Sequence, residues 1–462
     1  MNFNINDFFY SWADNEGSVN STDSILSWVE ERNKNVFVDI KKISPDLKNG
    51  FWYYNEYSGE LVNKNNSFFS VKGVEIFKNG ELYCSQPVIA QNEIGYLGII
   101  CKKINGVINF LMQAKIEPGN VNKIQISPTI QATKSNFEQK HGGKRPAYVE
   151  YFINADRYCI VVDQLQSEQS SRFIKKRNRN IIILLPENEE IEVLDSHKWM
   201  TLGQLKQLMK YDNLVNMDTR TVISCIPFYS IRDNEDNTDS YFSDISFYNS
   251  IKDINPKEIS DIYNYVNDYK MYNNDEIKIV PLMLLPDWSM KENEFACDNL
   301  YSFKMVFCDI AIEGREVAKW QQPLFEAIGK ATFGMFTCVE NNIRKFLVKG
   351  KSEFGCFDKI EIGPAIQIEA TTLPEDFDVV EKMFFEKYID KCGILYDVVL
   401  SEEGGRFYHE QNKNIIIEIN KNDIAQLPKG YFWASYGTLN MLSQVNNSLN
   451  IQLRNLMSLL EV

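Results

Sequence analysis

Apolar positions along the chain follow two periods. At Ile25, Leu26, Trp28 and Val29, and again at Ile262, Tyr263, Tyr265 and Val266, they occupy i, i+1, i+3 and i+4, one face of an amphipathic helix. Strand-length apolar runs follow the first of these: Phe68 to Phe77, Ile94 to Lys103, Val107 to Lys115, Tyr158 to Gln164 and Asn180 to Leu185. Thr201, with Leu202, Leu205 and Leu208 at three-residue spacing behind it, predicts an N-capped helix that closes the series. Strands and helices cluster instead of alternating. The pattern therefore predicts an α+β fold with mixed sheets and flanking helices, without a run of parallel βαβ units.

The series occurs twice. Ser85-Gln86-Pro87 matches Gln321-Gln322-Pro323 at an offset of 323 − 87 = 236. The same offset aligns Leu111 to Glu117 with Leu347 to Glu353, Ile126 to Gln131 with Ile362 to Gln367, and Trp52 with Trp288. Further on the offset is 401 − 167 = 234, and Ser167 to Phe173 meets Ser401 to Phe407. Trp199 then meets Trp433, Gly203 meets Gly437, Asn216 meets Asn450 and Arg220 meets Arg454. Landmarks that keep their order across the length imply two duplicated units, 1–235 and 236–462, joined by the polar stretch Asp233 to Asp239.

Charge removes several partners from consideration. The net charge is 49 − 63 = −14, which argues against nucleic acid while leaving room for one phosphorylated small molecule. No segment approaches the ~20 continuous apolar residues of a membrane span, and the first residues lack the pattern of a secretory signal. The 9 cysteines are scattered without CxxC spacing, which suits a reduced, cytoplasmic protein. Neither G-x-G-x-x-G nor G-x-x-x-x-G-K-[ST] occurs, and the 3 histidines, His141, His197 and His409, lie far apart. No cofactor and no zinc site is expected, and any acid–base chemistry falls mainly to Glu, Asp, Tyr and Lys.

Three segments, LMQAKIEPGNVNKIQISPTIQATKSNF from Leu111, QSEQSSRFIKKRNRN from Gln166 and WMTLGQLKQLMKYDNLVNMDTRTVISC from Trp199, resemble the NDP-hexose 2,3-dehydratases of deoxysugar biosynthesis, as does SEEGGRFYHEQN from Ser401. The resemblance spans nearly the whole chain, duplication included. It departs at Leu400, where the family tends to have Gln, and at Gln367 to Glu375, where a Gln-x-Thr pattern is altered. It implies a substrate of the type dTDP-4-keto-6-deoxyglucose, loss of water to a 3,4-diketo-2,6-dideoxy product, and a downstream 3-ketoreductase. A Nudix-like fold in each unit and a homodimer are implied as well. The Nudix hydrolase signature is absent, its nearest echo being Gly314-Arg315-Glu316, so the metal-binding carboxylate cluster of that chemistry is not expected. Two other readings stand beside this one: a noncatalytic sugar-nucleotide binder, and a diverged pyrophosphatase requiring a divalent metal.

Such an elimination needs one base, one acid and donors for an enolate oxygen, because the C4 ketone already acidifies the C3 hydrogen. Acid–base candidates are Glu403, Tyr408 and His409 in the second unit, and His141, Glu168 and Tyr151 in the first. If Tyr408 and His409 lie on a strand, they point to opposite faces. Trp52 and Trp288 offer rings on which a thymine or sugar can stack, with a core position as the alternative. Thr133, Lys134, Ser135, Asn136 and Phe137 form a polar loop suited to pyrophosphate or ribose. Lys115 and Lys351 match across the repeat as phosphate ligands. Gly404 and Gly405 permit close approach to a ligand, and Arg406 can hold phosphate in a bidentate manner. Ser170 and Arg172 are their counterparts, and Gln367, Ala370 and Thr371 complete the second unit's contacts. Lys175-Lys176-Arg177 reads as a solvated face. On proton-transfer capacity the second unit is better equipped, since Gln169 stands where it has Glu403.

Overall fold

In the computed structural model, residues 3–65, 68–138, 144–231, 241–315, 317–424 and 426–461 are described. His141 and the predicted link Asp233 to Asp239 lie outside them. The chain is mixed α/β, with several sheets and, among the described residues, eleven α-helices. The predicted helices fall at Thr22–Asn35, Pro256–Tyr272 and Leu202–Leu208, the last opened by a reciprocal capping box between Thr201 and Gln204. The predicted strands fall at Ser70–Lys78, Gly95–Ile104, Val107–Ile116, Cys159–Ser167 and Arg177–Leu185. A helix at Ile5–Ala13, buried through Phe8, Phe9 and Trp12, adds to the predicted set.

Each half contributes a seven-stranded sheet. In the first, Gly95–Ile104 pairs parallel with Arg177–Leu185 and antiparallel with Val107–Ile116. In the second, Thr332–Glu340 pairs parallel with Gln411–Glu418 and antiparallel with Ile343–Lys351. Two five-stranded sheets mix the halves. Val38–Lys42 adds to Phe303–Ile312, and Glu276–Val280 adds to Ser70–Lys78. One core cluster is likewise shared, with Trp52, Phe69 and Phe173 packed among Trp288, Phe303, Phe325 and Phe407.

The halves also exchange loops, through contacts repeated at the offsets of the sequence. The Gly119 N–H donates to the Gly404 carbonyl at 2.7 Å, and the His409 N–H donates back to the Gly119 carbonyl at 2.9 Å. Their counterparts are Gly355 to Ser170 at 2.9 Å and Lys175 to Gly355 at 2.8 Å. Two buried arginines anchor the same loops: Arg220 Nη2 donates to the Ser401 carbonyl and Arg454 Nη2 to the Ser167 carbonyl, both at 2.6 Å. Among the described residues no helix is long and apolar enough to cross a membrane.

At the loop exchange the backbones touch so closely that a Cβ on Gly119 would overlap the carbonyl oxygen of Phe407. Gly119→Ala is therefore expected to cost about 1–3 kcal/mol, the usual range for an overpacked site. The measurement is the denaturant midpoint by circular dichroism. An unchanged midpoint would show that the crossing is looser than described.

Candidate active site

The loop exchange makes one cleft from both halves. Strands Val107–Ile116 and Ile130–Ala132 bring Lys115, Glu117 and Thr133 to its floor, and the loop after strand Ile394–Ser401 brings Glu403 and Arg406 across. Phe68, Tyr96, Leu97 and Phe173 supply apolar wall. A second cleft mirrors it, with Lys351, Glu353, Gln367 and Glu369 on one side and Arg172 from the first half on the other. Which half holds the site is therefore not a choice the structure poses. Glu403 and Lys115, read from the sequence as belonging to different pockets, share one.

Electrostatics distinguish the clefts. In the first, Glu117 accepts from Lys115 at 3.0 Å and from Arg315 at 3.1 Å. Burial opposes its charge, but these cations prevail and hold the carboxyl at about 2. The second cleft has no in-register counterpart of Arg315, because the hairpin carrying it is two residues longer than its repeat: Gly73 pairs with Pro87 and Phe307 with Pro323, offsets of 307 − 73 = 234 and 323 − 87 = 236. Glu353, with Lys351 and Arg172 as its cations and accepting from Gln367 at 2.8 Å, is raised by burial instead, with Glu369 adding to the rise. Glu403 accepts the Gly405 N–H at 2.9 Å, and burial, aided by Glu117 and Glu168 against the pull of Arg406, pushes it up to about 7. Glu168, accepting from Asn178, is raised by burial. Lys176 is lowered by burial to about 8.

Several predicted residues take other roles. Trp52 and Trp288 are 4% and 5% exposed, and their indole N–H groups donate to the carbonyls of Gln321 at 2.6 Å and Ser85 at 3.0 Å. Packed in the shared core cluster, neither ring lines a cleft. Tyr408 and His409 are not strand-borne. They lie in a bend with His409 at φ +53°, stack on each other at 4.2 Å, and line neither cleft. Tyr151 stacks on Tyr158 at 5.6 Å, with burial raising its hydroxyl.

The loop after Ala132 is a short helix, Lys134–Phe137. Thr133 and Asn136 face the cleft, while Ser135 is buried and donates to Glu93 at 2.9 Å. Lys134 is exposed near Glu138, and Phe137 packs on Tyr96 at 5.5 Å. Arg406 donates to the Gly405 carbonyl at 2.8 Å and Gln91 at 3.0 Å, and lies over Phe68 and Phe69. Gly404 presses on Asn120 and Glu117, so the close approach at both glycines is made by protein. Arg172 donates to Glu369 at 3.3 Å. Ser170 is buried, Gln367 lines the second cleft, and Ala370 and Thr371 lie beyond it.

Among the charged residues of the first cleft, sequence reading missed four: Glu117, Lys176, Asp218 and Arg315. Lys176, expected on a solvated face, is 5% exposed and donates to the Glu93 carbonyl. Local charge runs say nothing of burial, and it is the crossing of the halves that covers it. Comparing repeat positions offers a signal for Asp218, whose counterpart at 218 + 234 = 452 is Gln452. Among the described residues no group of three or more His, Cys, Asp or Glu is placed to hold a metal ion.

A family model for the NDP-hexose 2,3-dehydratases matches residues 22–226 and 259–460. The chain belongs to that family. It is thus a sugar-nucleotide 2,3-dehydratase, a hydro-lyase, and the paired matches agree with a tandem duplication. Three relatives carry the name dTDP-4-dehydro-6-deoxy-alpha-D-glucopyranose 2,3-dehydratase. That from Saccharopolyspora spinosa is 36% identical over 88% of this chain and 85% of its own. The relative from Amycolatopsis orientalis is 29% identical over 97% and 92%, and that from Streptomyces violaceoruber 30% over 88% and 90%. A solved structure titled an ADP compounds hydrolase aligns at 9% identity with a TM-score of 0.23, over 36% of this chain and 89% of that one, too low to bear on fold or chemistry.

The raised Glu403 carboxyl gives the dehydratase a pH signature. Its unfolded value is 4.5 and its folded value about 7, so ionising it in the fold costs stability as pH rises between the two. Glu403→Gln removes that cost. The variant should gain about 1–3 kcal/mol over wild type above that window and converge with it below. Melting temperatures across pH check this, and parallel curves would show that Glu403 titrates normally.

Proposed function

We propose that the chain removes water from dTDP-4-dehydro-6-deoxy-D-glucose, giving dTDP-3,4-didehydro-2,6-dideoxy-D-glucose, in the first cleft. The carrying observation is that Glu403 and Asp218 stand there as carboxyls, while their repeat counterparts, Gln169 and Gln452, are amides. An amide cannot take a proton at neutral pH and a carboxylate can. The second cleft keeps Lys351 and Arg172 and is read as a binding site only.

In this reading Glu403, poised near neutrality, takes the proton from C3 of the sugar. Charge builds on the C4 oxygen, and the cations Lys115, Arg315 and Arg406 stabilise it and the diphosphate together. The C2 hydroxyl, β to the carbonyl, then leaves, and the enol between C2 and C3 becomes the ketone. Tyr96 and Phe68, which line this cleft where Trp52 does not, are the rings available to the base. His141 remains a competing proton-transfer group, by its place in the glycine-rich sequence His141-Gly142-Gly143-Lys144.

The same reading takes 1–235 and 236–462 as tandem Nudix-like modules, supported by their matched seven-stranded sheets. It extends to a homodimer, a cytoplasmic site of action and a partner 3-ketoreductase that consumes the unstable diketone. The nine cysteines, all unpaired, suit a reducing compartment.

Purified protein with the dTDP-linked 4-keto sugar, a 3-ketoreductase and reduced nicotinamide as trap should give a mass loss of one water. Glu403→Gln should lower kcat by about 10²–10⁴. Lys351→Gln should leave kcat unchanged and remove one of two dTDP binding events by calorimetry. Full turnover in Glu403→Gln, with loss in His141→Asn, would move the chemistry to His141.

A further inference from the structure

Asp218 opens helix Met217–Ile223, behind the N-cap Asn216. It lines the first cleft, is 1% exposed, and neither of its carboxyl oxygens meets a hydrogen-bond donor. The neighbouring acids are all supported: Glu117 by Lys115 and Arg315, Glu403 by the Gly405 N–H, Glu168 by Asn178. A buried polar group without a partner works against folding. With no hydrogen-bond donor of the protein meeting either oxygen, its partner is sought among molecules that enter the cleft.

Its surroundings decide its protonation. Burial disfavours its charge most, Glu168, Glu403 and Glu117 disfavour it further, and Lys115 alone among the leading neighbours opposes them. The carboxyl is held well above the usual carboxylate range. A neutral carboxylic acid donates a hydrogen bond and can give up a proton, which a carboxylate cannot. Glu403, nearer neutrality, is free to act as base in the same cleft. Two acids whose environments separate them in this way divide naturally into proton donor and proton acceptor.

We propose that Asp218 is a catalytic residue, the proton donor of the dehydration. The inference rests on the reading of Glu403 as base. Glu403 takes the C3 proton, and the C3–H electrons form the C3–C4 double bond of an enolate whose charge rests on the C4 oxygen. The C4 carbonyl then re-forms, and the C3–C4 electrons make the double bond to C2 as the C2–O bond breaks. Asp218 gives its proton to the departing oxygen, which leaves as water. The Asp218 carboxylate then accepts the proton of the C3 enol hydroxyl, while protonated Glu403 returns its proton to C2. Both carboxyls end as they began, and the sum is loss of one water with no oxidant or reductant.

The test is Asp218→Asn, which keeps shape and removes the transferable proton. Expected are unchanged affinity for dTDP, at least about 100-fold lower turnover, and a melting temperature no lower than wild type. The deciding readout is exchange of the C3 hydrogen in deuterated buffer, followed by mass spectrometry. Asp218→Asn should retain exchange while water loss stops, and Glu403→Gln should lose both. Wild-type turnover in Asp218→Asn, loss of exchange together with turnover, or failure of the variant to fold would each overturn the proposal. Exchange surviving in Glu403→Gln would instead remove Glu403 as base. Asp218 would then still stand or fall on water loss in its own variant.

Discussion

The structure depends on one crossing. A loop from each half reaches over the other and is held by a backbone pair at Gly119 or Gly355 and by a buried guanidinium, Arg220 or Arg454. A buried arginine is costly unless its donors are satisfied, and here they go to main-chain carbonyls that a loop would otherwise leave unpaired and, from Arg454, also to the Thr221 hydroxyl and the Gln166 amide oxygen. Burial draws Arg220 down only to about 10, so it remains a cation. Desolvation and satisfaction are thus met together, and the loop acquires a fixed position. Glu403 and Arg406 gain their places in the cleft from that position.

A cleft assembled across such a seam has unusual electrostatics. Floor and roof arrive with their own charges, and burial strengthens each interaction between them. Glu117 therefore sits far below the carboxylate range and Glu403 well above it, within one cavity. The difference follows from the cations: Arg315 and Lys115 both reach Glu117, while Glu403 has Arg406 opposed by two carboxyls. In the other cleft Glu353 has Lys351 and Arg172, but burial and Glu369 outweigh them and its direction is the opposite one.

The fold was largely legible in the sequence because its signals are local. Helical spacing at Ile25 to Val29, a capping residue at Thr201 and the apolar strand runs each declare themselves within a few residues. The repeat was legible because duplication leaves matched landmarks. The cleft was only half legible. Lys115, Thr133, Glu403 and Arg406 carried motif signals, yet nothing local says that the first two and the last two meet. Trp52 misled for a similar reason. An indole suits stacking on a base as well as it suits a core, and only the shared cluster formed by the crossing decides between them. Arg315 was read as the remnant of an absent signature, and the hairpin between Phe303–Ile312 and Lys319–Ala327 delivers it to the other half's carboxylate.

Duplication with crossing also explains how the two clefts can diverge without loss of the fold. Each cleft's supports, the glycine contacts and the arginine anchors, lie in the seam, and both sets are retained. The groups that project into the cavities are free to differ. Gln169 and Gln452 replace carboxyls in the second set, removing charges whose burial costs stability. In the first set the carboxyls remain, and with them the cost of holding protonatable groups out of water. Stability is thereby given up at these two positions, where proton transfer requires groups poised between their charge states. The arginines of the seam are what make that local cost tolerable, because the loop bearing Glu403 cannot relax away from it.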